Sequence, residues 1–168
     1  MGHKMVGAAV DIYKCFDQIR RTLLYTILLT MGFPPKVLDA YMRYHEQVVY
    51  HNGIGTHLGE GHNRLCGIPQ GCPLSMLFIA VLMRPWLIGL QGFGVTARIL
   101  ADDLLITAQG DEAHHLLEKA MEFTFQYVTA MGAKLAPKKC YTFATHTDHR
   151  KWLRQHVWEG LSIRHTSE

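Results

Sequence analysis

Charge is scarce in this 168-residue chain: charged residues make up 18%, too few for a disordered segment, an acidic tail or a low-complexity linker. Cysteine is equally thin. Four are scattered (Cys15, Cys66, Cys72, Cys140) and none forms a CxxC pair, which argues against a secreted disulfide framework and for a reducing compartment. The opening MGHKMVGAAV has no signal-peptide layout. No apolar run reaches bilayer length; the longest, Leu74 to Leu90, is broken by Arg84 and Pro85 and reads as a buried core helix. No internal repeat and no Gly/Ser linker is visible. What is present is 48% apolar residue over one domain's length, enough for a core without staples, with a net charge of +3 that permits a polyanionic partner without demanding one.

Periodicity predicts mixed α and β. Val6 to Ile12 is short, apolar and partly β-branched, as a buried strand is. Arg20 to Met31 carries Leu23, Leu24, Ile27, Leu28 and Met31 at helical spacing; Gly32 and Pro34-Pro35 end it, and Pro35 opens a second helix to about Gln47. Four glycines between His51 and Gly61 predict a turn region between strands near Gln47–Tyr50 and Asn63–Cys66. Ser75 to Leu90 reads as a helix apolar on most faces. Val95–Leu100 and Leu104–Thr107 predict a hairpin with Asp102-Asp103 at its tip. Asp111 is placed to cap a helix ending before Gly132, and Cys140–Ala144 is a last core strand. The class is α+β, an antiparallel sheet backed by helices. Residues 1–144 form the main domain. Residues 145–168 are a polar, His-rich extension, one amphipathic helix with Trp152, Leu153, Val157 and Trp158 and then a short strand.

The acids carry the chemistry. Asp11 ends an apolar strand, and Asp102-Asp103 sit between two; a buried unpaired charge is costly, so carboxylates at core strand ends call for a partner. If the strands are neighbours, three carboxylates point to one spot, which suits a hard divalent cation and, with two ions, phosphoryl transfer. An Asp-Asp pair standing alone would read as a turn.

It does not stand alone. VDIYKCFDQI, CGIPQGCPLSMLF, the LADD of ILADDLLI and MGAKLAPKKCYTF resemble, in order, motifs A, B, C and D of reverse transcriptases, spanning Val6 to about Ala144. The QGCPLS wording is closest to the enzymes of non-long-terminal-repeat retrotransposons. The resemblance implies a polymerase palm with part of the fingers and no thumb. It implies Asp11, Asp102 and Asp103 as ligands of two Mg²⁺ ions, with Mn²⁺ as a substitute. Phe16 would lie under the incoming sugar and disfavour a 2′-OH, Gln70 and Gly71 would contact the nucleotide, and Lys139 would protonate the departing pyrophosphate. Asp17 reads instead as a structural or helix-capping acid. The implied partners are an RNA template, a DNA primer and a dNTP, with no membrane. Fingers and thumb segments would come from a longer parent chain, and the location would be intracellular, cytoplasmic or nuclear.

Two positions depart from the family: Leu100 stands where an aromatic is usual, and Ala136 where Asn is usual. Eleven histidines are a separate oddity. His114-His115 read as solvated, and His45, His51, His57 and His62 as loop or surface residues. His146, His149, His156 and His165 meet no zinc-ligand spacing with Cys140. Three readings follow: an RNA-directed DNA polymerase palm; an inactive retroelement-derived remnant serving as a nucleic-acid or protein-binding module; and, disfavoured by GIPQGCPLS, another palm enzyme such as a nucleotide cyclase.

Overall fold

The computed structural model describes residues 4–158 and 163–165. In chain order the elements are β1 (Met5–Asp11), α1 (Cys15–Gln18), α2 (Arg21–Thr30), α3 (Pro35–Gln47), β2 (Tyr50–Ile54), β3 (His57–His62) and α4 (Ser75–Gln91). Then come β4 (Thr96–Leu100), β5 (Asp103–Gln109), α5 (Ala113–Ala130), β6 (Tyr141–Ala144), α6 (Thr147–Gln155) and β7 (Arg164–His165). They divide into two compact units, one of Met1–Cys15 with Met83–Glu168 and one of Phe16–Leu82.

The first unit is built on a five-stranded sheet ordered β4-β5-β1-β6-β7, antiparallel except for the β6–β7 pair. β1 lies inside it because its period-2 pattern buries Val6, Ala8 and Val10 on one face. Leu104, Ile106 and Ala108 of β5 join that layer, and α5 covers it with Leu117, Ala120, Met121, Thr124 and Val128 at helical spacing. The buried Trp86 donates its indole N–H to Thr124 Oγ1 at 3.0 Å, and that hydroxyl donates to the Ala120 carbonyl at 2.7 Å, so both polar groups are satisfied inside the core. Gly7 is small of necessity: a Cβ there would stand 2.4 Å from Cζ of Phe143.

The second unit packs α2, α3 and the start of α4 through Leu24, Leu28, Leu38, Met42 and Phe78, with the Tyr41 ring edge-on to Phe78 at 5.0 Å. It also carries the β2–β3 ribbon, which is exposed throughout except for Tyr50.

Several expectations need correction. The strands around the glycines are Tyr50–Ile54 and His57–His62, so glycines lie within the strands and the turn is confined to Gly55 and Thr56. α4 is two-sided: Phe78, Leu82, Trp86 and Leu90 are buried at four-residue spacing while Met76, Leu77 and Ile88 are exposed. Asp111 caps nothing, because Lys4 takes its carboxylate in an ion pair, and α5 begins after Glu112 without a side-chain cap. His45 is buried, its ring against Tyr41 at 4.4 Å. His114 is half-buried between His115, His149 and Trp152. α6 buries Leu153 as expected, but Val157 falls past its end and is 82% exposed. Of the last strand, Arg164 and His165 pair with β6, while Leu161 and Ser162 lie outside the described residues. Among the described residues no helix is long and apolar enough to cross a membrane.

Candidate active site

The β1–β5 register pairs Val10 with Leu104 and Asp11 with Asp103. Partners in an antiparallel pair share a face, so these two carboxylates stand on the face opposite Val10 and Leu104, away from the apolar layer. Asp102 occupies the two-residue turn between β4 and β5, and its carbonyl accepts the Ile12 N–H at 3.3 Å. Ala101, beside it, has φ 56°, a left-handed conformation that glycine usually supplies; backbone strain of this kind clusters at functional sites.

A second segment closes on the same strand end. Ala136 N–H donates to the Asp11 carbonyl at 2.8 Å, and Tyr13 N–H to the Lys134 carbonyl at 2.9 Å. This docking brings Lys139 Nζ to 3.2 Å from Asp11 Oδ2 across 128 positions of sequence. The hydrogen bond and attraction from Asp11 raise the Lys139 ammonium above its ordinary 10.5, with smaller pulls from Asp102 and Asp103. One lysine thus feels all three acids. Asp11, Leu100, Asp103, Lys139 and Tyr141 line an open cleft of about 570 Å³.

The donor set fits a hard cation. Asp11 is only 13% exposed, and its Oδ1 is buried without a hydrogen-bond partner, which is costly unless a ligand takes it up. The arrangement is not a closed cage: among the described residues no group of three or more His, Cys, Asp or Glu is gathered to hold a metal. Mg²⁺ needs no such cage, since it binds one or two carboxylates and keeps waters or substrate oxygens. The neighbouring Cys15 thiol is pushed up to about 12, first by burial and then by the Asp102 and Asp11 charges, so it stays protonated.

Phe16, Gln70 and Gly71 belong to the other unit. Phe16 is half-buried and its carbonyl accepts the Ile68 N–H at 2.9 Å; Gln70 and Gly71 are exposed in the turn ahead of α4. Asp17 caps no helix: it lies within α1 and pairs with Arg64 at 3.2 Å. Gly67 has φ +88°, and a Cβ there would stand 2.9 Å from the Phe16 carbonyl oxygen, so the loop lies directly on the Phe16–Asp17 backbone. Sequence reasoning passed over Arg21, whose guanidinium reaches four backbone carbonyls. Its signal was positional: Arg21 shares a helix face with the buried Leu24 and Leu28, an inward place for a charge.

The family model described as reverse transcriptase (RNA-dependent DNA polymerase) matches residues 2–157. No curated protein sequence matches the chain. Among solved structures it is similar to telomerase from Candida tropicalis in complex with a TWJ fragment of telomeric RNA, with TM-score 0.67 and 12% identity over 86% of this chain and 26% of that one. It is also similar to the corresponding Candida albicans structure, with TM-score 0.58 and 14% identity over 86% of this chain and 27% of that one. At such identities the likeness is one of fold, an α+β palm-like fragment, and the chain spans about a quarter of these neighbours' length.

Proposed function

The chain belongs to the reverse transcriptase family, and on that premise we propose that residues 1–144 are the palm, with part of the fingers, of a retroelement RNA-directed DNA polymerase. In this reading the 3′-oxygen of a DNA primer, paired to an RNA template, attacks the α-phosphorus of a dNTP, and the bond to pyrophosphate breaks. Asp11, Asp102 and Asp103 would hold two Mg²⁺ ions, or Mn²⁺, whose charge acidifies the primer hydroxyl and offsets the charge on the leaving pyrophosphate. Lys139, already charged at neutral pH and 3.2 Å from Asp11, donates its proton to that pyrophosphate. Phe16 excludes a ribose 2′-OH, and Gln70 with Gly71 contacts the nucleotide. An intracellular location, cytoplasmic or nuclear, follows from this role, with the remaining fingers and thumb on a longer parent chain.

What supports the reading above all is the register that sets Asp11 opposite Asp103, beside the turn of Asp102. The test is primer extension on an RNA template with dNTPs and Mg²⁺, wild type beside Asp102→Asn. Loss of extension in the variant, by about a hundredfold or more, is the expected result. Equal extension in both, or none in either, overturns it for this chain. A second reading, an inactive remnant that binds nucleic acid, draws on Leu100, 72% exposed where the family carries an aromatic. Retained binding of primer–template without extension is its signature.

A further inference from the structure

Arg21 begins α2, and among the described residues its guanidinium pairs with no carboxylate. It is spent on backbone instead. Nε donates to the Gly67 carbonyl at 2.9 Å, Nη1 to His45 at 3.2 Å, and Nη2 to Arg64 at 2.6 Å and Cys66 at 3.2 Å. Three of these four carbonyls come from one stretch of chain, the run into Gly67-Ile68-Pro69-Gln70-Gly71. The same stretch is stitched along its other edge to the segment that carries Phe16. Gly67 N–H donates to Ile19 at 2.8 Å, Ile68 N–H to Phe16 at 2.9 Å, and Arg64 pairs with Asp17. A planar fork of five N–H donors can satisfy carbonyls converging from several directions, which a lysine ammonium on a flexible stem cannot do with the same geometry.

We propose that Arg21 is a positioning residue that fixes the Gly67–Gly71 loop against Phe16, and so sets the spacing between the sugar-sensing ring and Gln70. The nucleotide part of this inference rests on the polymerase reading above; the clamp itself does not. Without the fork, four carbonyls lose a shared donor, and the loop keeps its Ile19 and Phe16 bonds, the Arg64–Asp17 pair, the Cys66 thiol on the Asp17 carbonyl and the Ser75 hydroxyl on the Pro69 carbonyl. The ring and the loop then lose their fixed separation, and discrimination between a deoxyribose and a ribose suffers before the fold does.

The experiment compares the full chain with Arg21→Gln and Arg21→Lys. Amide hydrogen exchange is read at Gly67 and Ile68, with Ala8 and Ile106 of the sheet as controls, and fluorescent dATP and ATP with Mg²⁺ serve as binding probes. Arg21→Gln is expected to speed exchange at Gly67 and Ile68 by about tenfold or more, the controls being unchanged. The preference for the dATP probe should fall about tenfold, with Arg21→Lys between the two. Unchanged exchange at both amides overturns the proposal, as does a loosened loop with an undiminished dATP preference. A wild type that binds neither probe counts against the polymerase reading, and exchange then decides the clamp by itself. Should Arg21→Gln fail to fold, Arg21→Lys carries the same comparison.

Discussion

The five-stranded sheet and the two-stranded ribbon are built from similar hydrogen-bond ladders, yet they are held in register by different means. Along β5 every second residue is buried, and a slip of one position would drive Asp103 into the apolar layer and expose Leu104. Along β2 and β3 only Tyr50 is even half-buried, and the pairing is already irregular between His51 and Gly53. The ribbon can shift without burying a charge; the sheet cannot. Alignment of Asp11 with Asp103 therefore rests on the energetics of the whole apolar layer rather than on contacts at the acids themselves.

The sharpest way to break this contrast is to weaken both regions by the same truncation. Ile106→Ala opens a cavity in the sheet layer and should cost about 2–5 kcal/mol by urea unfolding. Leu58→Ala in the ribbon removes a side chain that is 76% exposed and should stay within about 0.5 kcal/mol. Comparable losses would mean that the ribbon has a hydrophobic anchor equal to the sheet's. Next in size is Lys139→Met, which separates what the register serves from what maintains it. The unfolding midpoint should move far less than in Ile106→Ala, although Asp11 loses its ion-pair partner, while primer extension falls about a hundredfold. A stability loss matching that of Ile106→Ala would make Lys139 a structural residue of the sheet.

The same contrast explains what could be read in the sequence. β1 was legible because a strand inside the sheet selects a short, apolar, partly β-branched run, and the acid hairpin because Asp102-Asp103 interrupts two apolar runs. The ribbon was misplaced by several residues because nothing in it is buried, so its glycines looked like turn and not strand. The Lys139–Asp11 contact depends on a bridge between Ile12 and Leu135, a long-range pairing that no local pattern announces. His45 is buried through the packing of its ring on Tyr41, and Asp111 is claimed by Lys4 from 107 positions away, both of them tertiary facts.

Gly67→Ala and Gly55→Ala sharpen the comparison inside the second unit. Both positions have positive φ, but at Gly67 the new Cβ also meets the Phe16–Asp17 backbone, whereas at Gly55 it meets open space. Gly67→Ala should cost about 1–3 kcal/mol and Gly55→Ala about 1 kcal/mol. Equal costs would mean that the loop moves away from Phe16 freely, and would weaken the case for a fixed spacing there.

The smallest effect asks whether the two units titrate separately. Burial, and then the Arg21 charge, hold His45 below the ordinary 6.5; burial, and then His115 and His149, do the same for His114, with Glu112 pulling the other way. The sign follows from linkage. In the unfolded chain each ring takes up its proton near 6.5, while the folded chain resists until lower pH, so stability declines as pH falls below 6.5 and goes on declining until the folded ring itself protonates. Asp111, held below 3.8 by its hydrogen bond and ion pair with Lys4, loses its contribution only in more acid solution, outside this window. The unfolding midpoint should therefore drop between about pH 7.5 and about pH 5.5. His45→Gln and His114→Gln should each flatten that slope, and together should flatten it by the sum, because they lie in different units with no shared partner in the described contacts. A double variant no flatter than either single one would show that the two titrations are coupled, and the contrast between the two regions would not extend to the histidines of α3 and α5.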